Sequence, residues 1–304
     1  MKHGILPVWK ERGMTSHDVV FKLRKILKMK KIGHTGTLDP EVEGVLPICL
    51  GDATRIASLI TDTGKEYVAK VKLGWSTETE DQTGEIVERD SSYKQLSRAQ
   101  IEEALAKLTG EIEQTPPMYS AVKVNGKRLY EYAREGRVID RPSRIVQIDA
   151  IELLEDAVQF EGEAIEFSIR VSCGKGTYIR TLAVQIGELL GYPAHMSQLE
   201  RTMSGGFRAE QCITLQQLQE AVDEGKEMDA IRPLEEALFE FPQVQIEESM
   251  LPLIENGQVL QQLDILKTHS YVVLMNEGKA LAIYMRHPTK EGLMKPFKMF
   301  PFNR

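Results

Sequence analysis

Asp39 stands between Leu38 and Pro40 in the run Gly33-His-Thr-Gly-Thr-Leu-Asp-Pro-Glu-Val-Glu-Gly-Val-Leu-Pro47. A carboxylate can attack carbon as a nucleophile or remove a proton as a base, so this residue could carry chemistry. Proline pushes the residue before it out of the α region, which predicts an extended or turn conformation for Asp39. Gly33, Gly36 and Gly44 permit tight bends around it. The pattern therefore predicts a carboxylate displayed on a rigid, bent loop. Asp-Pro beside glycine is also the wording of an ordinary turn, so Asp39 needs support from the rest of the chain.

The other chemical signals are mostly exclusions. Gly174-Lys-Gly-Thr-Tyr-Ile-Arg180 lacks the Gly-x-x-x-x-Gly-Lys-Ser/Thr spacing of a phosphate loop, and no Gly-x-Gly-x-x-Gly follows a strand. Cys49, Cys173 and Cys212 are scattered and odd in number, and the six histidines lack metal-ligand spacing. No cofactor and no metal are expected, and a reducing compartment is. Tyr178 and Arg180, two residues apart, would not share a face of a regular helix. They can serve one site only where extended chain turns into helix.

Net charge is −7, yet the cations are concentrated. Phe21 to Lys31 holds Lys22, Arg24, Lys25, Lys28, Lys30 and Lys31 and no acid. Tyr119 to Arg144 holds seven basic residues, Lys123, Lys127 and Arg128 among them, against three acids. Local basic patches, rather than global charge, attract a phosphate backbone, although each could also be a solvated helix face.

The elements that must position these groups can be read from period and punctuation. Gly4–Trp9 and Val45–Leu50 read as buried strands. Thr15-Ser16 caps a helix over His17–Met29, and Asp52 caps another running to Ile60. Tyr67–Gly74 alternates, with Tyr67, Ala69, Val71 and Leu73 on one face. Ser97-Arg-Ala-Gln100 opens a helix ending near Gly110. Asn125-Gly126 marks a hairpin, and Ile145–Leu154 and Ile165–Val171 are strands. A helix follows from about Thr177 to Leu190, with further helical stretches at 214–224 and 233–239. Beyond Phe241-Pro242, strands at Tyr271–Met275 and Leu281–Met285 flank the turn Asn276-Glu-Gly-Lys. Strands and helices interleave without a βαβ rhythm, which predicts an α+β fold. No run of about 18 apolar residues offers a membrane span. The N-terminus has no signal-peptide organisation, so a cytoplasmic protein is expected.

Several segments together resemble the bacterial family of tRNA pseudouridine-55 synthases, the TruB family. They are Gly33-His34-Thr35-Gly36-Thr37-Leu38-Asp39-Pro40, Lys65-Glu66-Tyr67, Pro116-Pro117-Met118-Tyr119-Ser120-Ala121, Gly176-Thr177-Tyr178-Ile179-Arg180 and Leu199-Glu200-Arg201-Thr202. Their order and separation fit over roughly residues 3–235. One departure falls in the N-terminal motif, which reads Lys10-Glu11-Arg12-Gly13-Met14-Thr15-Ser16. Glu11 stands where the family has proline, which predicts a looser backbone there.

The resemblance implies a mixed, largely antiparallel central sheet flanked by helices, the pseudouridine synthase fold. It implies a catalytic domain over residues 1–240, with 119–144 as a mobile RNA-contacting insertion, and a small β-rich PUA-like domain over 243–304. Asp39 would be the catalytic aspartate, Tyr67 would stack on the target base, and Arg180 would pair with the carboxylate. Asp81 would position that arginine, Tyr178 and Leu199 would line the pocket, and His34 would enter the space left by a flipped nucleotide. Lys10, Lys123, Lys127 and Arg128 would join these in binding substrate. The implied partner is tRNA, touched at its T-loop and acceptor stem by a monomeric enzyme without cofactor. A synthase for another RNA, an RNA-binding protein without chemistry, and a small-molecule nucleoside enzyme are the rival readings.

Overall fold

Every second residue of the strand Lys65–Leu73 is buried, from Lys65 through Tyr67, Ala69 and Val71 to Leu73, as the apolar alternation predicts. The computed structural model describes residues 2–301. The chain divides into two compact units, one of Val42–Gly44 and Gly64–Ser204, the other of Met1–Glu41, Val45–Thr63 and Gly205–Arg304.

In the first of these units Lys65–Leu73 runs antiparallel between Ile165–Cys173 and Ala194–Ser204. Ile165–Cys173 continues antiparallel to Arg144–Leu153, and that strand to Gly110–Gln114. Glu43 and Gly44 lie parallel to Glu200 and Arg201, which completes a mixed, largely antiparallel sheet. Gly44 makes this pairing possible. Its φ is +129°, and a Cβ there would come within 2.3 Å of the Arg201 carbonyl oxygen. The helices Arg98–Lys107 and Ile179–Leu190 pack against each other and the sheet. Ser97 and Gln100 form the expected capping box.

Two strands of this sheet escape the sequence patterns. Gly110–Gln114 offers only Ile112 as an apolar residue, because its exposed positions are glutamates. Ala194–Ser204 buries His195, Ser197, Arg201 and Ser204, types that read as surface. Burial is acceptable where partners exist: His195 Nδ1 lies 2.9 Å from the Trp75 carbonyl oxygen, and Ser197 Oγ donates to Glu166 at 2.8 Å. Burial also lowers the pKa of His195.

In the other unit, Ile32–His34 pairs antiparallel with the end of Glu43–Leu50, and Gly4–Lys10 neighbours the same strand. The helix Ser16–Ile26 is capped by Thr15, whose hydroxyl accepts from the Asp18 N–H. It stops short of Met29 because Lys28 adopts a left-handed φ of +52°. Asp52 does not cap a helix, contrary to expectation. Its carboxylate meets His3 at 2.8 Å, Lys31 at 2.9 Å and Arg55 at 3.6 Å, inside a 3-10 helix, Gly51–Ile56, that leads into the expected helix, Ala57–Asp62. The helical stretch expected at 233–239 is likewise a 3-10 helix, Leu234–Leu238. Leu215–Asp223 is an α-helix capped by Thr214.

Gln243–Gln245, directly after Pro242, begins a five-stranded sheet with Tyr271–Asn276, Lys279–Arg286, Leu293–Met299 and Leu260–Gln261. The β-rich C-terminal segment therefore forms as expected; residues 302–304 lie outside the described residues. Its central strands are buried on both faces. Val272 and Leu274 enter a core within this segment, whereas Val273 and Met275 pack with Ile5, Val45 and Ile56. Two-sided burial explains why Tyr271–Met275 reads as an unbroken apolar run. No helix among the described residues is long and apolar enough to cross a membrane.

Candidate active site

The candidate residues fall into two groups, one in each unit. In the first group Asp39 is half-buried, on irregular chain between the strands Ile32–His34 and Glu43–Leu50. Both of its neighbours are tied down. Leu38 N–H donates to Ser16 Oγ at 2.9 Å, and that hydroxyl donates to the Leu38 carbonyl at 3.3 Å. The Pro40 carbonyl accepts from Lys10 Nζ at 3.1 Å and from Gly13 N–H at 2.9 Å. Upstream, buried Thr35 donates from both its N–H and its hydroxyl to the Pro47 carbonyl. The carboxylate thus sits on a loop held on either side, neither sealed in the core nor loose in solvent.

Lys10, expected to bind substrate, is fully buried, and its ammonium donates to the carbonyls of Glu11 and Pro40. Through the Pro40 carbonyl it braces the Asp39 loop. The same contacts answer the expectation for Glu11. Although the proline is missing, the 10–16 segment is tied through Lys10, Gly13 and Ser16. His34 is half-buried on its short strand, and its Nδ1 accepts from Gly36 N–H at 3.4 Å.

In the second group, Tyr178 is the extended N-cap of the helix Ile179–Leu190, and Arg180 is the second residue of that helix. This is the strand-to-helix junction that the two-residue spacing required. Buried Gln114 holds Tyr178 from both sides: its Oε1 accepts from Tyr178 N–H at 3.0 Å, and its Nε2 donates to the Tyr178 carbonyl at 3.3 Å. The Arg144 guanidinium lies 5.2 Å over the Tyr178 ring.

Arg180 is only 6% exposed. It donates to the carbonyls of Thr79 at 2.9 Å and Tyr119 at 3.1 Å, and lies 3.9 Å from the Asp81 carboxylate. The other Asp81 oxygen accepts from Thr79 Oγ1, Thr83 N–H and Thr83 Oγ1 at 2.6–2.9 Å, which folds the 79–83 turn on itself. Asp81 thus shapes the turn whose Thr79 carbonyl accepts from Arg180. Glu80 takes a left-handed φ of +61° and accepts from Thr181 Oγ1 at 2.6 Å. Burial raises its pKa, against the opposing pull of Thr181, Arg180 and Arg141.

Tyr67 is 8% exposed, in register with Val171 on one side and Arg201 on the other. Leu199 is half-buried opposite Ala69. The segment 119–144 carries the expected hairpin, Lys123–Val124 against Lys127–Arg128, with Asn125 and Gly126 both at positive φ. Lys123 is exposed. Lys127 pairs with Glu135 and lies over Tyr132, while Arg128 donates to Tyr130 Oη at 2.8 Å. Gln114 and Ser16 escaped the sequence reading, since nothing local marks a polar residue whose partner lies 64 or 22 positions away.

The geometry can be set beside known proteins. The TruB family pseudouridylate synthase N-terminal domain matches residues 24–179, and the tRNA pseudouridylate synthase B C-terminal domain matches residues 180–239. A tRNA pseudouridine synthase B of Listeria welshimeri is 52% identical over 303 residues, covering 99% of each chain. One of Bacillus pumilus is 52% identical, covering 98% of each. Among solved structures, a chain of a Cbf5-Nop10-Gar1 complex has a TM-score of 0.75 at 30% identity, over 98% of this chain and 85% of that one. Matched along nearly its whole length, the chain belongs to the TruB family of pseudouridylate synthases.

Proposed function

We propose that this protein isomerises uridine 55 in the T-loop of tRNA to pseudouridine. The N1–C1′ bond breaks, the uracil turns, and C5 bonds to C1′ while the C5 proton is lost and N1 regains one. Atoms balance without redox or group transfer. The observation that carries this reading is the half-buried Asp39 carboxylate on a loop anchored at Leu38 and Pro40. Such a carboxylate can act as nucleophile or as base. Family resemblance assigns Arg180 to pair with it and fix its orientation, and Tyr67 to stack on the base. A uridine in a folded loop must be everted, at a cost of a few kcal/mol, and His34 is assigned to the space it leaves.

The relatives at 52% identity are named for tRNA, which supports tRNA over an RNA presented by a multi-protein complex. Lys123, Lys127 and Arg128 supply charge for phosphate contacts, and the 119–144 segment closes over the T-loop. The C-terminal β-rich segment, as a PUA-like domain, meets the acceptor stem, and the enzyme acts as a cytoplasmic monomer. The decisive test incubates purified protein with an unmodified tRNA transcript, without added metal or nucleotide, and maps the modified position. Conversion at uridine 55 by the parent, lost in Asp39→Asn with tRNA binding kept, is expected. Unchanged turnover in Asp39→Asn overturns the catalytic assignment.

A further inference from the structure

The roles proposed above leave out the six cations between Lys22 and Lys31, and all six side chains are exposed. Where the helix Ser16–Ile26 ends, the chain turns past a groove of about 710 Å³ lined by Lys2, Lys28, Lys30 and Lys31. Met29 and Met228 contribute apolar lining, and Glu227 is its one carboxylate. Glu227 is already matched by Lys2 at 2.9 Å, and nearby Asp52 by Lys31 at 2.9 Å. Among the described residues no carboxylate lies within ion-pair distance of Lys28 or Lys30.

Helix-end electrostatics explains part of this cluster, since cations are favoured at a helix C-terminus. It does not explain Lys28. That residue holds the left-handed position, φ +52°, which glycine occupies without strain. A strained lysine with no acidic partner, rimming a groove, points to a ligand rather than to stability. The ligand should be a polyanion with apolar faces between its charges, because lysine stems and methionines offer soft apolar contact beside the ammonium groups. An RNA strand has this character. Lys30 is also only nine residues from Asp39, at most about 30 Å even if the chain were fully extended. A folded RNA engaged at Asp39 is large enough to reach it.

We infer that the Lys28–Lys31 groove is an additional RNA-binding site, where Lys28 and Lys30 take backbone phosphates of the tRNA outside its target loop. The inference rests on the reading of this protein as a tRNA-modifying enzyme. The test measures affinity and turnover on a full-length unmodified tRNA transcript from 50 to 300 mM salt (a range on the order of that over which phosphate contacts weaken). The variants are Lys28→Gln/Lys30→Gln and a charge-matched control, Lys107→Gln/Lys226→Gln, which removes two exposed lysines paired to Glu103 and Glu224.

The groove variant should bind tRNA about three- to tenfold more weakly, with its salt slope reduced by about 1–2, while turnover at saturating tRNA is unchanged. The control should keep the parent slope. Lys28→Gly separates charge from architecture: relief of strain should raise its melting temperature while its tRNA affinity falls. A groove variant with the parent's affinity and slope overturns the inference and leaves the proposed activity standing. Equal loss in the control reduces the effect to net charge and overturns it too. A parent that neither binds nor modifies tRNA removes both.

Discussion

Lys10 Nζ donates to the Pro40 carbonyl at 3.1 Å, so a fully buried cation braces the residue that follows Asp39. The contact separates two roles that sequence alone merges. A lysine that bound RNA would govern affinity; one that holds a loop governs the placement of a carboxylate. Lys10→Met should destabilise the fold by about 1–3 kcal/mol through the carbonyls left short of a donor. It should lower kcat by roughly 10–100-fold through misplacement of Asp39, with tRNA affinity near the parent's. Chemical denaturation, single-turnover kinetics and filter binding read the three quantities. Lost affinity with normal kcat would contradict the bracing role.

Gln114 acts on the Arg180 side in a comparable way, through the backbone of Tyr178. Gln114→Ala leaves a partly buried N–H without its acceptor and should cost about 1–3 kcal/mol. Gln114→Glu keeps the acceptor but loses the donor, so its stability and turnover should fall between alanine and parent. If both variants turned over as fast as the parent, the clamp would have no part in presenting Tyr178 and Arg180.

Gly44→Ala should be among the most damaging substitutions in the chain. Its Cβ would press on the Arg201 backbone at a φ of +129°, so the parallel pairing of Glu43 and Gly44 with Glu200 and Arg201 cannot form as it stands. A loss of roughly 3–5 kcal/mol is expected, visible as a large fall in melting temperature. A variant that melts like the parent would mean that this pairing adds little.

The Asp52 cluster gives a pH dependence of defined sign. Burial alone would raise the Asp52 pKa, but the Lys31 hydrogen bond and the charges of Lys31, His3 and Arg55 outweigh it and lower the value. A carboxylate whose pKa is lower in the folded state stabilises the fold above its unfolded pKa. That contribution is lost as pH falls through the folded value. Asp52→Asn should therefore be less stable than the parent near neutral pH, and the gap should shrink below about pH 4. Urea titrations of both proteins from pH 3 to 7 measure it (limits set roughly by carboxylate titration). A gap independent of pH would show that packing, not charge, holds this cluster.

Features governed by near neighbours were legible in the chain itself. The capping boxes at Thr15 and Ser97, the Asn125-Gly126 hairpin and the alternation of Lys65–Leu73 each follow from contacts within a few residues. The bent, proline-locked setting of Asp39 belongs to the same class, and so does the extended-to-helical junction at Tyr178 and Arg180.

What tertiary structure alone decided is where polar groups find partners across long stretches of chain. Lys10, Arg201 and Lys94 are charged types that sequence reads as surface, and all three are buried. Lys94 survives there because three carbonyls, of Asp90, Ser92 and Glu163, receive its ammonium. The strand Ala194–Ser204 is central for the same reason, its burial set by pairing with Lys65–Leu73 and not by its own composition. Local conformational preference needs only the neighbouring residues, whereas desolvating a polar group is favourable only once the fold has brought its partner into reach.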